Sequence, residues 1–225
     1  MVDVGGHVGE TLAEVVDQRW GFDLIFVFEP AIGCREPLAR LADERVHLVM
    51  AGWWDADAEM DLHDPGLIGA SVARDKALTG VVERCAFIDA ATWMRSHLEP
   101  GDEVWLKLNC EGAECVVLDH LDDERVLGWI DHLLVHFDVE KIPALAPQAP
   151  ATRRRLDAVG VEWIEPRDIM FGRSHRQKTA NWLAWTEASK LHRVRYAHLA
   201  RWEFRARQFV YPLKQRLLCQ HPSAS

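Results

Sequence analysis

The chain has 225 residues, a net charge of −9, 48% hydrophobic residues and 27% charged residues. These values are typical of a soluble globular protein with one α/β domain, or one domain plus an appendage. No apolar run approaches the roughly 18 residues of a membrane-spanning helix, and no signal peptide opens the chain, so we expect a cytoplasmic protein. Five scattered cysteines predict free thiols, and the spacing of Cys110 and Cys115 argues against a zinc site.

The opening segment predicts a strand, a tight glycine loop and a helix. An apolar run ends at Gly5 and Gly9, and helical spacing begins at Thr11. Such a loop lets a ligand approach the backbone, and the start of the helix offers free N–H groups. The next predicted strand, 23–28, ends at Glu29, about 20 residues beyond the loop, where doubly wound sheets place a carboxylate on ribose hydroxyls. The two strand ends therefore predict a nucleoside site.

The glycine pattern indicates which nucleoside the site would take. A dinucleotide fingerprint needs a third glycine, and a P-loop needs Gly-Lys-Ser/Thr, and this segment has neither. The pattern is Asp3-x-Gly5-x-x-x-Gly9, and Val2-Asp3-Val4-Gly5 with the downstream Phe28-Glu29-Pro30 resembles an S-adenosylmethionine site. A glycine turn without a ligand, as found in many α/β proteins, is the alternative.

The remaining pattern predicts alternating strands and helices. Further strands are expected at 46–50, 81–88, 104–108 and 130–137, with a solvated hairpin edge over 51–64. Helices are expected at 36–42, 89–94, 111–121 and 153–159, the last ending at Gly160. An antiparallel last pair at 161–164 and 182–185 would complete a seven-stranded sheet.

Four segments resemble the FkbM-type S-adenosylmethionine-dependent methyltransferases. Leu106 to Glu114 resembles that family's Leu-Lys-Ile-Asp-Val-Glu-Gly-Ala-Glu signature, and Val2 to Gly9 resembles its first motif. Phe28-Glu29-Pro30 matches its second motif, and Asp89 to Trp93 resembles its step into a short helix. The similarity covers about residues 1–142. It implies a class I methyltransferase fold, which is Rossmann-like with a mostly parallel seven-stranded sheet, and O-methylation of sugars or secondary metabolites.

Two residues depart from the family pattern. His7 stands where the family has asparagine, and Asn109 stands where it has aspartate. An amide neither takes a proton nor holds a metal as a carboxylate does. If the family aspartate is a base or a ligand, another residue does its work here, or the work is not done. No metal ligand is predicted.

The predicted contacts of S-adenosylmethionine lie at the ends of the first strands and of the strand before residue 89. Asp3 could instead cap the turn, Glu29 could cap a helix, and His7 could be a solvated loop histidine. The predicted cofactor-binding residues are Asp3, Gly5, His7, Gly9, Glu29 and Asp89.

Four residues are candidates for catalysis: His136, Asp138, Lys107 and Glu111. Histidine is a natural base at neutral pH, and alternation places His136 and Asp138 on the same face, where they could pair. His136 could equally be a core histidine, and Lys107 could cover apolar surface with its stem. Glu111 and Glu114 open a helix, where the helix dipole alone would explain their charge.

The charge distribution separates a body from a tail. Residues 151–225 carry 15 lysines and arginines and six acids, a net charge of +9, which leaves −18 for residues 1–150. We therefore predict a methyltransferase domain over 1–186 and a basic helical appendage over 187–225. Arginines alternate with aromatic residues in the appendage, a pattern that would also suit nucleic acid or an anionic membrane surface. Packing on the acidic domain or on the second subunit of a homodimer is favoured, and no nucleic acid is expected.

Together these patterns predict S-adenosylmethionine-dependent O-methylation of a hydroxyl on a small molecule. N-methylation and a cation-assisted reaction are the rivals among enzymes. A non-catalytic nucleoside-binding or interaction module is the rival from another class, and Asn109 is the residue that favours it.

Overall fold

The computed structural model describes residues 1–169, 174–187 and 202. Its strands are β1 (Val2–Val4), β2 (Ile25–Phe28), β3 (Val46–Val49), β4 (Gly52–Trp54), β5 (Ala58–His63), β6 (Val82–Asp89), β7 (Trp105–Leu108), β8 (His132–Val135) and β9 (Glu162–Ile164). Its α-helices are α1 (Leu12–Val15), α2 (Arg35–Ala39), α3 (Ala90–His97), α4 (Glu114–Asp123), α5 (Ala149–Val159), α6 (Pro166–Ile169) and α7 (His175–Glu187).

A six-stranded sheet in the order β3-β2-β1-β7-β8-β9 forms the centre of the fold. Every pair of neighbouring strands in it is parallel. Short apolar strands alternate with helices along the chain. Each connection brings the chain back to the end of the sheet at which the previous strand began, so the next strand runs parallel to it. The order is that of a Rossmann-like doubly wound sheet. The prediction of an α/β protein with a mostly parallel sheet is confirmed.

The predicted strand at 182–185 is wrong, because these residues lie within the helix α7. Trp182 and Leu183 are adjacent and both buried, an arrangement that a strand with one buried face does not allow. The segment predicted as its partner does form β9, which pairs in parallel with β8. Within the described residues the central sheet therefore has six strands instead of the expected seven.

A second sheet has three strands in the order β4-β6-β5. The prediction of a hairpin over 51–64 is wrong, because β4 and β5 do not pair with each other. The long strand β6 lies between them, parallel to β4 and antiparallel to β5. This sheet leads directly into α3, which begins where β6 ends.

A hydrophobic core cluster packs on one face of the central sheet. Alternate residues of β1, β2, β7 and β8 point to this face, because strand side chains alternate. Trp53 of β4 and Trp93 of α3 pack there against Phe28, with ring centroids 4.9 to 5.6 Å apart. The buried residues of the sheet in this cluster are Val2, Val4, Phe26, Phe28, Leu106, Leu108, Leu133 and Val135.

The chain divides into two units, Met1–Glu165 and Pro166–Ser225. Both sheets and α1 to α5 belong to the first unit. In the second, α6 contacts α7, and the Ser174 hydroxyl accepts a hydrogen bond from the Gln177 amide at the start of α7. The basic appendage predicted over 187–225 lies outside the described residues except for residues 187 and 202.

Two further expectations concern cysteines and membrane helices. The prediction of free thiols is confirmed for Cys34, Cys85, Cys110 and Cys115, whereas Cys219 lies outside the described residues. None of the helices in the described ranges combines the length and the apolar character needed to cross a lipid bilayer.

Candidate functional site

The candidate site is the crevice between the carboxyl ends of β1 and β7. The strand order reverses between these two neighbours, since the chain leads from β1 towards β2 and β3 on one side and from β7 towards β8 and β9 on the other. Connections that diverge in this way leave a crevice at the carboxyl edge of the sheet, and open α/β sheets bind their ligands there. The sequence predicted most of its site residues at the ends of these strands.

The loop after β1 is held against the ends of both neighbouring strands. The amides of Gly5 and Gly6 both donate to the carbonyl oxygen of Phe28, at 2.9 and 3.0 Å. Gly5 has a φ of +82°, and a Cβ atom placed on it would lie 1.9 Å from the carbonyl oxygen of Asn109. Only glycine fits such a close approach to another backbone. The predicted role of Gly5 in shaping the loop therefore has a direct structural basis.

Gly9 closes the same loop. Its φ is +94°, and a Cβ atom there would lie 2.5 Å from the Cδ1 atom of Leu41. Gly9 thus allows the loop to pack closely on the segment that follows α2. The sequence predicted close packing at this glycine between a helix and a strand, and the nearest neighbours are in fact the side chains of Leu41 and Leu38.

Glu29 joins the end of β2 to the glycine loop. Its carboxylate is buried and accepts two backbone N–H groups, His7 at 2.8 Å and Ala31 at 2.9 Å. Burial raises the pKa of Glu29, and the two amides partly oppose this effect. A carboxylate has about four acceptor sites, so these two bonds leave acceptor capacity on both oxygens. The predicted nucleoside-binding acid therefore lies next to the loop, as the spacing required.

His7 connects the glycine loop to a distant segment. Its backbone φ is +47°, and its Nδ1 lies 3.1 Å from Glu10 Oε1. Its Nε2 lies 3.1 Å from the carbonyl oxygen of Gly66, in the connection between β5 and β6. The two ring nitrogens thus connect the glycine loop to Glu10 on one side and to Gly66 on the other. His7 is therefore a bridging residue and not simply a solvated one.

Asp3 and Lys107 lie side by side on β1 and β7. Lys107 Nζ is 2.9 Å from Asp3 Oδ1, and it donates to the carbonyl oxygens of Gly5 at 2.6 Å and Val4 at 3.3 Å. Asp3 is fully buried, and among the described residues neither of its carboxylate oxygens accepts a hydrogen bond, the contact with Lys107 being an ion pair. These contacts give the predicted catalytic Lys107 a part in holding the loop.

Asn109 follows β7 on the other side of the crevice. Its backbone N–H donates to the Val4 carbonyl oxygen at 3.0 Å. Its side-chain oxygen Oδ1 is buried and has no hydrogen-bond partner among the described residues. Buried acceptors without donors are rare in folded proteins. Here they occur on two neighbouring strands, at Asp3 within β1 and at Asn109 directly after β7.

Glu111 and Asp138 form a carboxyl pair. Their side chains share a hydrogen bond, and each has its own cation: Lys76 contacts Glu111, and Lys141 Nζ lies 2.7 Å from Asp138 Oδ1. Burial works against the ionised form of Glu111, but Asp138 and Lys76 lower its pKa on balance. Burial and the Glu111 carboxylate raise the pKa of Asp138 to about 6. Two of the four predicted catalytic residues are thus brought together with distinct proton affinities.

His136 is half-buried, at the point where β8 ends. Its amide donates to the Leu108 carbonyl oxygen at 2.9 Å, and its own carbonyl accepts from the Asp138 amide at 2.8 Å. The expected alignment of His136 and Asp138 on one strand face does not occur, because β8 ends at Val135 and Asp138 begins a 3-10 turn.

Glu114 stabilises the two segments that carry Glu111 and Asp138. It is fully buried, and its carboxylate accepts the amides of Gly112 at 3.0 Å and Val139 at 3.0 Å. It thereby ties the loop after β7 to the turn after β8. Burial raises the pKa of Glu114 to about 7 despite these amides. The helix-dipole interpretation therefore omits the main contacts of this residue.

Asp89 caps α3. Its carboxylate accepts the Thr92 amide at 2.8 Å, and its Oδ1 lies 3.0 Å from Nε2 of His120 on α4. Although burial opposes ionisation, these two contacts lower the pKa of Asp89. The structure thus connects this predicted cofactor residue to two helices.

The sequence missed Ser71 and Lys76. Both lie between β5 and β6, and both donate to the Glu111 carbonyl oxygen, Ser71 Oγ at 2.6 Å and Lys76 Nζ at 3.2 Å. The sequence around Ser71 indicates only a turn, and its contact with Glu111 depends on a tertiary path that no local spacing encodes. No group of three or more His, Cys, Asp or Glu side chains suited to a metal ion occurs in the part of the chain that the structure describes.

Comparison with protein-family models found no match for this chain. Comparisons with curated proteins and with solved structures found no match either.

Proposed function

We propose that this protein is an S-adenosylmethionine-dependent methyltransferase that acts on a hydroxyl group of a sugar or a similar small molecule. The observation that carries the proposal is the binding of the glycine loop after β1 by the Glu29 carboxylate at the end of β2. This pairing joins the two predicted nucleoside motifs at the topological switch point. The resemblance of residues 106–114 to the FkbM signature supports the same class, because this segment includes the carboxyl end of β7 and the loop that follows it, on the other side of the crevice.

The residues of the crevice fit the cofactor chemically. S-adenosylmethionine would supply an electrophilic methyl group on a sulfonium. Glu29 retains acceptor capacity for ribose hydroxyls. Asp3 Oδ2 and Asn109 Oδ1 are buried acceptors without hydrogen-bond donors among the described residues, and a ligand ammonium would supply donors to such groups.

A hydroxyl acceptor must lose its proton during methyl transfer, and Asp138 is our candidate for the base. The residue is buried beside Glu111, and its pKa of about 6 makes it a stronger base than an ordinary aspartate. It is nevertheless ionised near neutral pH, which a general base requires. His136, two residues earlier, is the second candidate.

Calorimetric titration with S-adenosylhomocysteine tests the cofactor site. We expect micromolar binding by the wild type and its loss in Glu29→Ala. Glu36→Ala is the matched control, because Glu36 is exposed and pairs with Arg40 along α2, so this variant should bind like the wild type. No binding by the folded wild type would contradict the proposal.

A non-catalytic module that binds the same cofactor is the second candidate, and Asn109 favours it because an amide cannot act as a base. Binding of S-adenosylhomocysteine without turnover of any hydroxyl or amine acceptor would support this candidate. Methyl transfer that Asp138→Asn abolishes, with cofactor binding retained, would exclude it.

A further inference from the structure

The connection between β5 and β6 spans the opening of the crevice. We call residues 64–81 the crossing loop. The Asp64 carboxylate closes it by accepting the amides of Leu78 at 2.5 Å and Thr79 at 2.9 Å, and the Asp64 amide donates to the Val81 carbonyl oxygen. The loop contacts the glycine loop through Gly66 and His7 on one side, and it contacts Glu111 on the other.

The crossing loop holds Glu111 by its backbone and by its side chain. The carbonyl oxygen of Glu111 accepts from Ser71 Oγ at 2.6 Å and from Lys76 Nζ at 3.2 Å. The same ammonium forms an ion pair with Glu111 Oε2. These contacts stabilise an unusual backbone, since Glu111 has a φ of +52°, a region that residues other than glycine rarely adopt. The loop therefore defines where this carboxylate lies.

The placement of Lys76 divides the carboxyl pair into two unlike groups. Two neighbouring carboxyls do not both ionise readily, and the one nearer a cation ionises first. Lys76 contacts Glu111, whereas Lys141 contacts Asp138 from a side chain that is 63% exposed. The side chain of Lys76 is only 15% exposed, so water screens its charge less. Glu111 therefore carries the charge while Asp138 retains the proton longer.

Other ionisable groups lie around the pair on the neighbouring elements. Lys141 follows β8, Glu114 begins α4, and Cys110 and Lys107 lie on the β7 side. His136 lies two residues before Asp138. Glu114 and the buried thiol of Cys110 would add negative charge only on ionisation, which burial opposes for both. None of these named groups belongs to the crossing loop, whereas Lys76 does.

We propose that Lys76 is a positioning residue that keeps the Glu111 carboxylate ionised beside Asp138, so that Asp138 is the member of the pair that takes up and releases a proton. The consequence of this positioning for catalysis rests on the proposed methyltransferase function, in which Asp138 receives the proton of the acceptor hydroxyl. The distribution of the proton within the pair does not depend on that function.

Carbon-13 NMR titration of the side-chain carboxyls in the full chain tests the proposal without cofactor or acceptor. Glu111→Gln and Asp138→Asn assign the two signals. In the wild type we expect Glu111 to titrate below its ordinary range and Asp138 above it. In Lys76→Gln we expect the Glu111 titration to rise by about one pH unit or more, because burial remains and the cation is gone. Lys76→Arg should restore the wild-type order.

Two control variants separate charge from structure. Ser71→Ala removes a hydrogen bond to the Glu111 carbonyl but keeps the cation, so the Glu111 titration should stay near that of the wild type. Arg84→Gln removes an exposed cation on β6 that pairs with Asp61, and it should leave both titrations unchanged. A Ser71→Ala shift as large as that of Lys76→Gln would overturn the proposal in favour of a purely structural role.

The wild-type titration alone can also overturn the proposal. If Asp138 ionises before Glu111, Lys76 does not direct the proton as inferred, whether or not the variants fold. An unchanged Glu111 titration in folded Lys76→Gln has the same meaning. Neither result bears on S-adenosylhomocysteine binding, so failure of this inference and failure of the proposed function are distinguishable.

Discussion

Lys107 Nζ and Asp3 Oδ1 lie 2.9 Å apart on neighbouring parallel strands, and both side chains are buried. The sequence places one residue in the cofactor loop and the other among the catalytic candidates, yet the structure joins them. Because Lys107 also donates to the carbonyl oxygens of Val4 and Gly5, the pair stabilises the start of the glycine loop. A charge at this position has to be balanced, since the site is removed from water.

We expect removal of either partner to be costly and removal of both to be less so. Lys107→Met leaves a buried carboxylate without a cation and should lower the free energy of unfolding by about 3 kcal/mol or more. In the Asp3→Asn/Lys107→Met double variant the loss should be smaller than the sum of the two single losses. Urea unfolding of the four proteins measures this coupling. Additive losses would show that Asp3 and Lys107 do not stabilise each other, contrary to this prediction.

The glycine loop should not tolerate a side chain at Gly5. Gly5→Ala places a Cβ atom against the Asn109 carbonyl oxygen in a left-handed backbone, and we expect a loss of about 2 kcal/mol or more in unfolding free energy. Gly33→Ala is the matched control, because no heavy atom lies within 4 Å of its Cβ position. Thermal unfolding should separate the two variants, and similar melting temperatures would show that the loop can relax.

Glu114 should make stability fall as the pH rises. Its pKa is raised from 4.5 to about 7 in the folded protein, so folding favours the protonated form. The contribution of this group is complete below about pH 4.5 and is lost as the pH approaches 7, a change of roughly 2 to 3 kcal/mol. Glu114→Gln mimics the protonated form and should remove this dependence.

Unfolding free energies of the wild type and Glu114→Gln, measured at several pH values from 4.5 to 7.5, test this expectation. Asp138, whose pKa is also raised, leaves a smaller slope of the same sign in the variant. A wild-type slope no steeper than that of the variant would contradict the assignment to Glu114.

Asp64 should determine how well the crossing loop resists proteolysis. Its carboxylate accepts the Leu78 and Thr79 amides and the Thr79 hydroxyl. In Asp64→Ala we expect trypsin to cut after Arg74 and Lys76 at least about tenfold faster, because the loop loses the charge-assisted hydrogen bonds that hold it closed and opens more often. Asp61→Ala on β5 removes an exposed ion pair with Arg84 and should be cut at the wild-type rate. Equal cleavage rates for the two variants would show that the Asp64 carboxylate does not hold the crossing loop closed.

The parts of the fold that depend on local spacing could be predicted from the sequence. The glycine loop and the acid about 20 residues later have positions that a parallel sheet imposes, and Glu29 does bind the loop. The helix start at Asp89 and the cap at Gly160 are also local signals, and both occur.

The parts that depend on distant segments could not be predicted. Alternation over 51–64 indicates strands but not their partner, and β6, which begins at Val82, supplies that partner from a later part of the chain. The four apolar residues at 182–185 fit a strand or a helix equally by composition. Lys76 contacts Glu111 across 35 residues, and an isolated lysine in a polar turn gives no indication of this contact.

The position of β1 in the sheet has a consequence for folding. This strand is bordered by β2 and by β7, and its contact with Lys107 joins residues 103 positions apart. During synthesis β1 can therefore pair on one edge long before its other neighbour exists, while its second edge stays open. Such long-range pairing slows folding, so assembly of the crevice should be a late event that depends on completing β7.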